Sequence, residues 1–273
     1  MNELTVLQGL IRQVEEARSA KEKPEGRTIF HELLQSPQLP DSEKKTMRLA
    51  DEAMTFVVAG SETTASTLAA LVYHVLSDRQ ILDRLRAELN TAIPGRYELP
   101  QASKLDSLPF LNALIEETLR MYPGATHRQD REAPEEDLVY EYEDGRQLVI
   151  PAGTGIGMTA PLLNRHPALY DRPDEFLPDR YIRDPSLSRH QFAFSKGTRQ
   201  CIGMHLAYQE LQTFAAGIFR RFDLYDPEKG EDGQSGPTVQ LFETDRRDVE
   251  MDADFVTPAQ YKGSKGVRLL IRL

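Results

Sequence analysis

Between Asp41 and Ser77 the chain runs without a proline and with a single glycine, Gly60, through apolar residues that recur at helical spacing. Asp41 follows Pro40 and is suited to cap a helix starting there. A helix of about 36 residues extends about 54 Å at 1.5 Å per residue, enough to cross a whole domain. The rest of the fold must therefore be built around one long element. Ala53 to Leu76 is also the candidate for a membrane span, since it exceeds the roughly 20 residues a bilayer needs. It carries Glu62 amid six Ser and Thr residues. A carboxylate at mid-bilayer is costly, so the expectation is a helix buried in protein.

Shorter patterns flank it. Residues 2 to 20 place Leu4, Leu7, Ile11 and Val14 at helical spacing, and Pro24 and Gly26 then break the pattern in a polar linker over Glu22 to Gly26. Further helices are expected near 79–92 and 110–121, closed by Pro94 and Pro123, and from about Gly203 to Arg221. Alternation with Gly and Pro punctuation predicts a small hairpin sheet between about 137 and 156. The proline-rich stretch 161–200 reads as mostly irregular, and VEMDADF and GVRLLIRL read as two closing strands. The fold class is thus mainly α with small β-sheets (α+β), and residues 1–273 are expected to form a single domain.

Composition removes several functions. Lys and Arg number 33 against 43 Asp and Glu, a formal net charge of −10, so no general field attracts nucleic acid phosphates. The N-terminus has an acidic residue at position 3, unlike the basic then apolar order of a signal peptide. Neither a signal peptide nor a membrane anchor is expected in this chain. One cysteine makes no internal disulfide and no cysteine-based zinc cluster, which leaves packing, a reactive thiol or a single-ligand metal site.

The flank of that cysteine decides between them. Phe194-Ser-Lys-Gly197-Thr-Arg199-Gln-Cys201-Ile-Gly203 precedes the helical pattern MHLAYQELQTFAAGIF. Cys201 then sits just before a helix start, where unpaired N–H groups and the positive dipole end favour a thiolate. Gly197 and Gly203 permit close approach of the backbone to a flat bulky group, and Arg199 adds a charge suited to a carboxylate. A thiolate held this way is a proper axial ligand for haem iron.

This segment resembles the haem-ligand loop of the cytochrome P450 family at every fixed position. Three further segments occur in the family's order: Ala59-Gly60-Ser61-Glu62-Thr63-Thr64 resembles the oxygen-activating turn of the central helix, Glu117-Thr-Leu-Arg120 the ExxR pair, and Phe176-Leu-Pro178-Asp179-Arg180 the later PxR element. The likeness covers nearly the whole chain from about Thr28, and its wording is similar to the fungal microsomal branch. It implies the C-terminal portion of that fold, truncated at its N-terminal side.

Alone, Glu117 and Arg120 at i, i+3 would read as a solvated surface pair. The resemblance instead implies a buried cluster of Glu117, Arg120 and Arg180 that locks the loop below the haem. It implies haem b (iron protoporphyrin IX) on Cys201, held by Phe194, Gly197, Arg199 and Gly203, with Arg128 the better match to the family's propionate partner. Glu62 and Thr63 would pass protons. Gly60 would leave room for dioxygen, and Ala59, Gly60, the Gly124 to Thr126 segment (Ala125 and Thr126), Phe255 and Val256 would line the substrate pocket. His74, His166, His190 and His205 lack the spacing of a metal cluster and read as packing or surface residues.

The implied activity is a monooxygenase that uses O2, a small apolar organic substrate and electrons from an NADPH-dependent flavoprotein reductase. The reductase would dock on the stretch Asp179 to Gln200, where Arg180, Arg183, Arg189, Lys196 and Arg199 outnumber Asp179 and Asp184. Full-length relatives are expected at the endoplasmic reticulum membrane. The alternative is a non-catalytic fragment with weak or no haem binding, because the family's N-terminal half has no counterpart here.

Overall fold

The computed structural model describes residues 3–19, 28–98 and 100–273, and the chain divides into two compact units, 1–62 and 63–273, whose boundary falls within the long helix. The linker expected over Glu22 to Gly26 lies outside the described residues.

In the first unit, α1 (Glu3–Ser19) buries Leu10, Val14 and Ala17. Phe30 of α2 (Ile29–Gln35) and Leu49, Ala50 and Ala53 of α3 (Thr46–Ser77) complete this small core. The long helix begins later than Asp41. Asp41–Lys44 close instead as a tight 3-10 turn with Glu43 N–H donating to Pro40 O at 3.0 Å, and Lys45 is extended at ψ 143°, which resets the chain before Thr46.

The second unit holds the main core. After α3, Asp78 caps α4 (Arg79–Ala92) by accepting from the N–H groups of Gln80 (2.8 Å) and Ile81 (3.2 Å). Leu82, Leu85 and Leu89, spaced for one helical face, are buried, and Pro94 prevents continuation. After α5 (Ala102–Asp106), α6 (Pro109–Met121) starts with proline, and its next two N–H groups, on Phe110 and Leu111, donate to the Glu88 carboxylate of α4 at 2.8 and 2.9 Å. From Phe110 to Met121 only Asn112 and Glu116 are not fully buried, so α6 is the central strut of this unit. Short helices α7 (Ala160–Leu163) and α8 (Asp179–Arg183) punctuate the proline-rich region. Leu211, Ala215, Ala216 and Phe219 of α9 (Met204–Arg221) pack into the same core.

The strands β1 (Gln129–Arg131), β2 (Leu138–Glu141), β3 (Gln147–Ile150) and β4 (Ile156–Met158) pair antiparallel as β1 with β4 and β2 with β3. The hairpin expected over 137–156 is thus the shorter β2–β3. Strands β5 (Asp223–Leu224), β6 (Thr238–Leu241), β7 (Ala253–Phe255), β8 (Thr257–Ala259) and β9 (Leu269–Arg272) follow. The two closing strands belong to different sheets: β7 pairs with β8, while β9 pairs with β6, which in turn lies parallel to β5.

Among the described residues α3 is the helix long and apolar enough to cross a membrane, with a mean hydropathy of 1.2 over its most apolar window. The expectation that it is buried in protein holds only in part. Leu71, Val72 and Val75 are buried, but Phe56, Val57 and Val58 are 48, 42 and 54% exposed. The small core of the first unit reaches only to Ala53 and Met54, and the main core begins at Leu68, so the turns between them carry no core side chain.

Candidate functional site

The loop before α9 is closed by its own backbone. The Cys201 N–H donates to Phe194 O at 3.0 Å, and the Gln200 N–H donates to Gly197 O at 3.0 Å. Two residues bend it through left-handed conformations, Ser195 at φ 62° and Gly197 at φ 76°. Gly197 is required there by backbone strain and not by crowding, since a Cβ would meet open space. Cys201 is a free, exposed thiol two residues before Gly203, the N-cap of α9. No side chain caps that helix, so its first N–H groups and dipole face the loop uncovered. Arg199 is exposed at the end of a short 3-10 turn, Gly197–Arg199.

Beneath the loop lies a buried ion cluster. Arg120 donates to the carboxylate of Glu117 from Nε (2.8 Å) and Nη2 (2.9 Å), and Arg180 Nε lies 3.0 and 3.1 Å from the same two oxygens. Exposure is 0% for Glu117 and Arg120 and 4% for Arg180, so neither pair has water to fall back on. The remaining donors go to backbone carbonyls: Arg120 to Asn164 O, Pro173 O and Glu175 O, Arg180 to Asp171 O and Arg172 O. Glu117 also accepts the Leu177 N–H at 2.7 Å. One carboxylate and two guanidinium groups therefore fix the irregular segment 164–177 at several points, and the isolated surface pair is excluded.

The structure ties the cysteine loop to β1 through Arg131. Arg131 Nη2 donates to Ser195 Oγ at 2.9 Å. Arg128 is exposed, with its stem lying over Gly157 of β4, where a Cβ would come within 2.1 Å of Arg128 Cδ. Arg131 is the last residue of β1, while Arg128 precedes the strand.

On α3, Thr63 is half-buried and its carbonyl accepts from two hydroxyls, Ser66 Oγ and Thr67 Oγ1, each at 3.0 Å. Ala59, Gly60, Ser61 and Glu62 are exposed, which corrects the reading of Glu62 as a buried acid. A Cβ at Gly60 would meet nothing within 4 Å. The absence of a side chain there is not needed for packing. The segment after α6 closes on α3 at Gly124 and meets the β7–β8 turn: Thr126 N–H donates to Val256 O at 3.0 Å, and Thr126 Oγ1 donates to Asp254 Oδ1 at 2.9 Å. Ala125 is half-buried and Thr126 buried, while Phe255 and Val256 stand 75 and 57% exposed at the turn.

His74 lies flat on Phe176, with ring centroids 3.9 Å apart, and its Nε2 is 2.8 Å from Tyr122 Oη. Burial, with the nearby charge of Arg246, lowers its pKa to about 4.

Among the described residues no group of three His, Cys, Asp or Glu side chains is placed to hold a bare metal ion. An iron that arrives with four ring nitrogens needs only one protein ligand on this face, and Cys201 can be that ligand. The surface beside it also fits a flat apolar group: Ile202 is 86% exposed and Leu206 58%, on either side of the glycine cap. Haem therefore suits the donor and its surroundings.

A family model described as Cytochrome P450 matches residues 4–246. The cytochrome P450 monooxygenase astB of Talaromyces wortmannii is 38% identical over 259 residues, 93% of this chain and 51% of that protein. The fusicoccadiene C-8 hydroxylase of Phomopsis amygdali is 34% identical over 254 residues, 92% of this chain and 45% of that protein. The crystal structure of a cytochrome P450 (CYP102L1) superposes with a TM-score of 0.72 at 21% identity, covering 98% of this chain and 55% of that one. The chain spans about half the length of the curated relatives it matches.

Proposed function

Because the chain belongs to the cytochrome P450 family, we propose that it carries the haem-thiolate part of a monooxygenase that inserts one atom of O2 into a small apolar organic substrate. Electrons would come from NADPH through a flavoprotein reductase. The observation that carries this reading is Cys201: a lone exposed thiol, hydrogen-bonded into a loop with Gly197 in a left-handed conformation, immediately before an uncapped helix N-terminus. When bound, haem b would supply the oxygen chemistry, with the thiolate's electron density favouring O–O cleavage.

The chain's own residues would do the rest. Cys201 holds the ligand sulfur two residues before the N-cap of α9. Arg199, Arg128 and Arg131 are the cations available to carboxylates at the rim of the site. Thr63 and Glu62 are neighbours on one helix and can hold and pass protons there. Gly124 to Thr126 and the Phe255–Val256 turn present apolar and small groups, which suits an apolar substrate. The stretch 179–200 is locally basic, but Arg180 is committed to Glu117 and Arg199 to the rim, leaving Arg183, Arg189 and Lys196 for an acidic electron donor.

The decisive experiment is Cys201→Ser in haem-loaded protein. The reduced carbon monoxide complex should show the red-shifted Soret band of thiolate ligation in the native chain and lose it in the variant. A band that survives the substitution overturns the ligand assignment.

A second reading, that this chain alone retains haem weakly, is favoured by the exposure of Phe56, Val57 and Val58 on α3, an apolar face that nothing covers among the described residues. Haem released to apomyoglobin from the 273-residue chain, but not from a fusion to the N-terminal half of a relative, would establish it. Equal retention by both would dismiss it.

A further inference from the structure

Adjacent glutamates on α6 serve opposite sides of the helix. Glu117 points into the arginine cluster, while Glu116 accepts the hydroxyl hydrogen of Tyr208 at Oε1, 2.9 Å away. The Tyr208 ring lies against Phe194, with centroids 5.3 Å apart, and Phe194 O is the acceptor for Cys201 N–H. A second path reaches the same loop. Gln191 Nε2 donates to Glu116 O at 3.0 Å, Asn164 Nδ2 donates to Gln191 Oε1 at 2.9 Å, and Asn164 Oδ1 accepts the Phe192 N–H at 3.0 Å. Asn164 O in turn accepts from Arg120.

We propose that Glu116 and Tyr208 are a pair of positioning residues that fix the Phe194–Cys201 loop, and with it the cysteine sulfur, to the rigid helix α6. The cluster of Glu117, Arg120 and Arg180 anchors the segment before the loop, through the carbonyls of Asn164, Asp171, Arg172, Pro173 and Glu175. Among the described residues the Phe194 ring meets that of Tyr208, whose hydroxyl direction is set by Glu116. Both side chains are half-buried, so the hydrogen bond between them is partly shielded from competing solvent. Without it the tyrosine ring can turn about its side-chain torsions, and the loop keeps only the packing of Phe194 on the main core as a lateral stop.

The functional weight of the pair rests on the reading of Cys201 as iron ligand, but its test uses no haem. Cys201 is the single thiol of the chain and is already exposed, so its rate of alkylation by iodoacetamide, followed by mass spectrometry, reports how the loop holds the sulfur and not whether the sulfur is uncovered. Tyr208→Phe and Glu116→Leu should each change the alkylation rate of the 273-residue chain about three- to tenfold, the range set by the net worth of one hydrogen bond. Glu116→Gln keeps an oxygen acceptor and should restore a rate close to native. Ile93→Val, a core change of similar cost far along the fold, should leave the rate unchanged while lowering the melting temperature comparably.

The proposal is overturned if Tyr208→Phe alkylates at the native rate, if Glu116→Gln behaves like Glu116→Leu, or if Ile93→Val changes the rate as much. A failure of the Cys201→Ser spectroscopic test with these rates as expected would remove the ligand reading and leave the positioning pair intact.

Discussion

Gly124 stands directly against Thr63: a Cβ on residue 124 would lie 2.7 Å from Thr63 Cβ and 2.9 Å from both its Cα and its carbonyl oxygen. The contact is to backbone as well as side chain, so a small rotation of Thr63 cannot relieve it. Gly124→Ala should therefore push the segment after α6 away from α3 and destabilise the fold by about 1–3 kcal/mol. Urea unfolding would check it, and an alanine variant as stable as native would show that the two segments are not in fixed contact.

The buried cluster predicts a larger loss. Removing Glu117 leaves two buried guanidinium groups with no anion, and removing Arg120 strands the carbonyls of Asn164, Pro173 and Glu175 and takes one of two cations from Glu117. Glu117→Gln and Arg120→Met should each cost about 3–5 kcal/mol, or prevent folding, by denaturant titration. A change below about 1 kcal/mol in either would mean the pairs are solvated.

His74 gives the stability a pH dependence of definite sign. Its ordinary value is 6.5 and burial lowers it to about 4 in the folded protein, so the unfolded chain takes up the proton first. The contribution is fully present above pH 6.5 and is lost as the pH falls from 6.5 to 4. At 1.36 kcal/mol per unit the loss amounts to about 3 kcal/mol. His74→Phe should flatten that part of the stability-against-pH curve, and an unchanged slope would assign it to carboxylates instead.

Val256 is a β-branched residue at φ 78°, a conformation that costs such side chains of order 1 kcal/mol or more. Val256→Gly should raise the unfolding midpoint despite the lost apolar surface, because that side chain is 57% exposed. A lowered midpoint would mean that the valine packs where solvent exposure says it does not.

Two exposed apolar surfaces, Phe56 to Val58 on α3 and Ile202 with Leu206 at the start of α9, predict self-association of the 273-residue chain. Sedimentation should show concentration-dependent species, reduced in a Val57→Lys, Leu206→Lys double variant. A monomer at all concentrations would show that neither surface is sticky.

Much of this was legible in the sequence because it is local. The limits of α4, residues 79–92, follow from Asp78, the spacing of its leucines and Pro94, all within one window. The loop around Cys201 was legible for the same reason: glycine, arginine and cysteine at fixed offsets ahead of a helical pattern constrain a short piece of backbone wherever it lies in a fold. Family membership rests on such local patterns in a fixed order.

Tertiary structure alone decided what each side chain meets. That Glu88 caps α6, that Arg131 and not Arg128 reaches Ser195, and that Glu116 and Glu117 serve different partners all depend on residues tens of positions away, which periodicity does not encode. The sheets divided in the same way, since β4 pairs with β1 and β9 with β6, partners tens of residues away. The exposure of Glu62 and Phe56 was equally beyond local pattern. An apolar run specifies a helix through its own backbone hydrogen bonds, but whether that helix is covered depends on which other surfaces reach it.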